Sequence, residues 1–151
     1  MRFAIRLTLS VALAAGALAP LGAETPRTIR LTGSDGLAFS LPTITARPGE
    51  MLTVVLRTMS MQPADQLKHN FVVLKPTAKV DAFILAASMA RGEEFLPAKL
   101  KDQVIVASGL AAAGETTSAT FRAPAQPGKY PYVCSFPGHY NGGMKGVLVV
   151  Q

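Results

Sequence analysis

Residues 134–144 constrain this chain more than any other stretch. They read Cys-Ser-Phe-Pro-Gly-His-Tyr-Asn-Gly-Gly-Met and place a thiol at Cys134, an imidazole at His139 and a thioether at Met144, each five positions after the last. The 151 residues include one Cys and two His, and the second imidazole, His69, is followed by Asn70. Thiolate, imidazole and thioether are soft to borderline donors. A centre that uses all four must fold so that a distant upstream segment meets the 134–144 loop.

A Cys, two His and a weak axial Met form a donor set that suits copper and one-electron traffic. In that reading Cys134 gives the strong thiolate bond, His69 and His139 complete a plane, and Met144 stands on the axis and tunes the potential. Zinc is a poorer match, because a thioether is not among its usual donors. An enzyme is not expected: the set leaves no open coordination position, and Glu93-Glu94 reads as a solvated loop rather than an acid–base pair. Each residue also has a plainer role. Cys134 and Met144 could be core filler, and His69 a satisfied polar residue at a strand start. Two other functions stay in view. One is a periplasmic copper-binding or delivery protein, with the Met59-Ser60-Met61 stretch as a surface Cu(I)-loading site or, alternatively, an apolar rim. The other is a sandwich-type interaction module without metal.

The chain begins like an exported protein. Arg2 and Arg6 precede a mostly apolar run from Leu7 to Ala19, and Leu21-Gly22-Ala23 supplies a small-residue end. This pattern predicts a signal peptide over residues 1–23 and a single domain over 24–151, in the periplasm or otherwise outside the cytoplasm. An uncleaved leader would instead act as a membrane anchor, although 17 residues carrying Gly16 and Pro20 are at the short limit for a span. A lone Cys in an exported chain calls for a reason, and metal ligation supplies one. Without Arg2 and Arg6 the 15 basic residues fall to 13 against 9 acidic ones, a balance of +4 with no run of like charge. No basic cluster interleaved with aromatics supports nucleic-acid binding. A monomer is expected.

Periodicity predicts an all-β sandwich of about eight strands, over 27–32, 37–46 with a break at Pro42, 52–58, 69–74, 103–107, 115–122, 130–136 and 145–150. Residues 109–114 read as a small-residue loop. One segment departs from period two. Val80, Phe83, Ile84 and Ala87 fall at helical spacing and Arg91-Gly92 closes the pattern, which predicts a short amphipathic helix over 80–91.

On His69-Asn70, Cys134-Ser-Phe-Pro-Gly-His139 and Met144-Lys-Gly, the chain resembles the cupredoxins, and within them the azurin and auracyanin group. The resemblance covers residues 24–151. It implies a Greek-key β-sandwich and one type 1 copper ion held by His69, Cys134, His139 and Met144. It also implies single-electron exchange with redox protein partners that dock near the exposed ring edge of His139. The predicted helix matches the flap that azurins insert, expected to pack by Phe83, Ile84 and Ala87 away from the electron-transfer end. Asn70 is expected to bond across to the loop near Ser135, and the backbone N–H groups of Asn70 and Phe136 to point at the Cys134 sulfur. Four residues separate His139 from Met144, as in auracyanins and plastocyanins, whereas azurins have three. Azurins carry a disulfide that one Cys cannot form. Azurins also have a Gly before the first His, whose carbonyl approaches copper. Lys68 stands there in this chain, so no close carbonyl contact is expected, and auracyanin is the nearer pattern.

Overall fold

The structure, a computed structural model, describes residues 24–63 and 66–151; the predicted signal peptide lies outside them. Among the described residues there are ten strands: β1 (Arg27–Ser34), β2 (Thr43–Ala46), β3 (Met51–Met59), β4 (Lys68–His69), β5 (Val72–Leu74), β6 (Val104–Ala107), β7 (Ala111–Ala112), β8 (Thr116–Arg122), β9 (Gly128–Val133) and β10 (Lys145–Val150). Helix α1 spans Val80–Met89, and a single helical turn, α2, spans His139–Gly142. No helix among the described residues is long and apolar enough to cross a membrane.

Two sheets face each other. One has the order β1-β3-β8 and the other β2-β10-β9-β5-β6, while β4 and β7 form a separate two-stranded ribbon. The alternation read from the sequence is what builds the sandwich. In β1, Ile29 and Leu31 point inward and Arg30 and Thr32 outward; in β3, Leu52, Val54 and Leu56 point inward. These residues meet Phe71, Val73, Tyr132 and Leu148 of the opposite face in one continuous core. Pairing is mixed, with β1 parallel to β3 and β2 parallel to β10, and antiparallel ladders elsewhere.

The differences from the predicted strands have local causes. The second strand begins only at Thr43, because the chain crosses from one sheet to the other around Pro42, which has no N–H to give to a ladder. The run over 69–74 breaks at Asn70-Phe71. There the Phe71 N–H bonds the Ser108 hydroxyl at 3.0 Å, and the chain changes partner from β7 to β6 and β9. The small residues Ala111-Ala112 pair with Lys68-His69 rather than forming a loop.

Helix α1 forms where predicted and ends two residues early, at Met89. Phe83 and Ala87 are fully buried against Val72, Leu74 and Val133, with Ile84 at the edge of that cluster. Its expected location needs correction. Asp81, Ile84, Leu85 and Ser88 share a cleft with Gly138 and Asn141, so α1 lies against the 134–144 loop rather than away from it. The cause is the side on which the helix docks. The inner face of α1 rests on β5 and β9, and β9 leads directly into Cys134.

The pole opposite that loop is fastened by charge. The Arg27 guanidinium donates to Glu50 at 2.6 Å and to the Thr45 carbonyl at 2.7 Å, tying the start of β1 to both sheets. Arg27 and the Arg47 N–H hold the Glu50 carboxyl down at about 2, from an ordinary 4.5. A carboxyl with a lowered native pKa stabilises fully above its unfolded value and loses that contribution as pH falls toward the native one. Glu50→Gln should therefore flatten the fall in unfolding free energy between pH 4.5 and 2. The difference from wild type should be up to about 1 kcal/mol, since Arg27 is half exposed. Urea unfolding at pH 7 and pH 3 checks this; equal pH dependence in both proteins would show that the pair is inert.

Candidate metal centre

The short β4 ribbon carries His69, and the end of β9 delivers Cys134 into the turn that contains His139 and Met144. His69, Cys134 and Met144 have no exposed surface and His139 has 5%. The two Nδ1 atoms lie 3.1 Å apart, and the Cys134 sulfur lies 3.4 Å from Nδ1 of His139 and 4.0 Å from Nδ1 of His69. The residues singled out by spacing are thus brought together.

The loop takes this shape for backbone reasons. The Cys134 N–H donates to the Met144 carbonyl at 3.1 Å and the Met144 N–H to the His139 carbonyl at 2.9 Å, so the stretch closes on itself. Gly138 and Gly143, at φ 83° and 115°, bracket α2 in conformations that side-chain-bearing residues avoid. From the facing strand, Gly33 makes a different allowance. A Cβ there would sit 2.5 Å from the Met144 methyl carbon and 2.7 Å from Cδ2 of His69, so only a glycine lets the end of β1 cover the site this closely.

Asn70 joins the two segments in both directions. Its Nδ2 donates to the Ser135 hydroxyl at 2.8 Å and its Oδ1 accepts from the Ser135 N–H at 2.9 Å. The backbone N–H groups of Asn70 and Phe136 point at the Cys134 sulfur, as the resemblance implies. Outside the sulfur, Phe136 packs on His139 with ring centroids 4.8 Å apart, and Phe95 meets Phe136 edge-on at 5.1 Å.

Burial sets the electrostatics. It lowers both imidazoles to about 4, with the Ser34 carbonyl and the Asp35 carboxylate opposing this at His69 and the neighbouring imidazole reinforcing it at His139. Burial pushes the Cys134 thiol up to about 11, against the pull of the two backbone N–H groups. Near neutral pH the imidazoles are therefore uncharged, the state in which they can ligate a metal.

The donor atoms fit an ion. Apart from the backbone groups of Asn70, Phe136 and Ser34, the two Nδ1 atoms and the sulfur have only one another as polar partners among the described residues. A triangle with sides of 3.1, 3.4 and 4.0 Å has its centre about 2.1 Å from each corner, close to the usual bond lengths of first-row ions to nitrogen and thiolate sulfur. The thiolate and thioether together favour copper.

The sequence reading missed Gly33, Asp35 and Phe95. Gly33 ends a regular strand, and no motif separates it from a turn glycine. Met59 and Met61 are exposed, at 50% and 94%; Met59 pairs with Ser34 in the β1–β3 register and the Met61 N–H donates to Asp35, which places both at the metal end.

Comparison with known proteins agrees with this geometry. Residues 28–151 match the family model of copper binding proteins of the plastocyanin/azurin family. Auracyanin-B of Chloroflexus aurantiacus is 35% identical over 130 residues, covering 84% of this chain and 54% of auracyanin-B. The chain therefore spans about half the length of that relative. Auracyanin-A of the same organism is 37% identical over 130 residues, 83% of this chain and 75% of auracyanin-A. The solved structure of auracyanin A, described as a "blue" copper protein, superposes with a TM-score of 0.74 at 34% identity, over 84% of this chain and all of that one. The chain belongs to the plastocyanin/azurin family of copper binding proteins, with the cupredoxin fold.

The Asn70 clamp carries an expected cost. Asn70→Ala leaves the buried Ser135 N–H and hydroxyl without these partners and should destabilise the protein by about 1–3 kcal/mol in urea unfolding. An unchanged midpoint would show that Ser135 finds other partners.

Proposed function

We propose that this chain is an exported carrier of single electrons, holding one copper ion through His69, Cys134, His139 and Met144. The observation that supports it best is the convergence of both Nδ1 atoms on the Cys134 sulfur in a site sealed from water. Copper there supplies a one-electron redox couple. The chain's own part is to keep the donors in place in both oxidation states. Asn70 locks the two ligand segments together, the N–H groups of Asn70 and Phe136 accommodate the sulfur charge, and Gly33 lets Met144 and His69 pack without a gap. A closed, buried set leaves no place for a substrate.

Export rests on the leader pattern over residues 1–23. The exit for electrons is His139, the least buried of the four donors. Phe136 is half-buried beside it, and Pro137, Gly138, Gly142 and Gly143 are exposed and uncharged. Such a face lets a redox partner approach closely and leave quickly, as small transient interfaces require. The delivery reading draws on exposed Met59 and Met61, but a metal to be handed over is better held by open, exchangeable donors than by the sealed set.

Oxidised, copper-loaded protein should be intensely coloured by thiolate-to-copper charge transfer, and Cys134→Ser should remove that colour. A loaded wild type with only weak d–d bands would overturn the assignment. Met144→Gln should keep copper and lower the reduction potential, because a harder oxygen donor favours Cu(II); voltammetry showing no shift would take Met144 off the copper axis.

A further inference from the structure

We infer that the cleft bounded by Lys68, Arg91, Glu94, Phe95, Leu110 and Phe136 is a docking seat for a carboxylate-bearing face of a redox protein. The inference rests on the electron-carrier reading and adds to it a second, charged portion of the partner surface.

The cleft has a volume of about 300 Å³ and opens directly beside the metal centre. Its Phe136 wall is the same ring that packs on His139 at 4.8 Å, so a partner seated there is separated from a proposed copper ligand by one aromatic contact. Lys68 immediately precedes His69 in β4 and is half-buried; Arg91 is exposed just after α1. The ion pairs among the described residues are Arg27–Glu50 and Arg122–Glu24, so neither cleft cation has a carboxylate partner among those residues. Glu94 lines the same cleft, so two cations stand against one carboxylate. An incoming carboxylate is attracted, and one that approaches Lys68 and Arg91 while avoiding Glu94 is also oriented. Rim charges of this kind set encounter rate and register more than final affinity, which suits a complex that must dissociate quickly.

The backbone forms this wall at a cost. Glu94 and Phe95 are consecutive residues with side chains in the left-handed region, at φ 53° and 61°. Such residues persist only where their surroundings over-determine them. The Phe95 N–H donates to the Ala90 carbonyl at 2.9 Å and the Leu96 N–H to the Glu93 carbonyl at 2.9 Å. The result is a Phe95 ring buried edge-on against Phe136, with Glu94 exposed at the mouth of the cleft. A plain connection from α1 to β6 would not need two such residues in succession.

The test uses copper-loaded protein and succinylated cytochrome c, whose surface lysines have been converted to carboxylates, with native, lysine-rich cytochrome c as the opposite probe. One electron passes between the copper protein and the haem iron, one centre being oxidised as the other is reduced. At low salt, the double variant Lys68→Glu/Arg91→Glu should slow exchange with the succinylated probe on the order of tenfold and should not slow exchange with the native one. Arg30→Glu/Lys129→Glu makes the same change in net charge on exposed strand positions and should alter the succinylated rate less than about twofold. In the Cu(I) protein, adding the succinylated probe should shift the amide signals of Lys68, Arg91 and Phe95. Equal slowing by the two double variants, or amide shifts confined to residues 137–141, would overturn the cleft while leaving the electron carrier intact. A fully coloured wild type that exchanges with neither cytochrome would overturn the carrier and the cleft together.

Discussion

The two hydrogen bonds between Asn70 and Ser135 are the constraint on which the rest depends. They connect the link between β4 and β5, in the first half of the chain, to a loop near its end, and both bonds lie in the dry interior. A buried amide held at both its donor and its acceptor has one orientation. His69 and Cys134 are the residues immediately before Asn70 and Ser135, so fixing one pair fixes the other. The break in the 69–74 run is the visible cost, because Asn70 serves the clamp and the ladder changes partner around it.

Around this clamp, the protein assembles donors whose proton affinities differ in the way a copper site needs. Burial removes the charge from both imidazoles and also holds the proton on the thiol, so a metal ion held by this set would displace a proton at the sulfur alone. The backbone N–H groups aimed at the sulfur then remain as fixed dipoles for the thiolate. Gly33 contributes by lacking a side chain, since the space it leaves open is occupied by Met144 and His69.

Much of this was legible in the sequence because it is local. The 134–144 spacing, the strand alternation of β1, β3 and β8, and the helical spacing of Phe83 and Ala87 all lie within single elements. What was not legible depends on elements meeting. The position of α1 beside the loop follows from which side of β5 and β9 the helix covers, and period alone does not report that. The Ala111-Ala112 strand exists only because Lys68-His69 lies opposite it. The aromatic stack from Phe95 through Phe136 to His139 joins residues whose individual roles give no sign of contact, and the positive φ values at Glu94 and Phe95 have no residue-type signature.

The direction of β1 has a mechanical consequence. The strand starts at Arg27 among the ties to Glu50 and Thr45 and reaches the metal site at Gly33, roughly 20 Å further on at about 3.3 Å per residue. The final strand ends on the same side, with Val150 paired to Ala46 and to Gly128 and the Gln151 N–H on the Ala46 carbonyl. Both ends of the described fold therefore leave from the pole remote from His139. A tether, a surface or a fused domain attached at either end would pull along the strands of the sandwich and keep the metal-site pole turned outward.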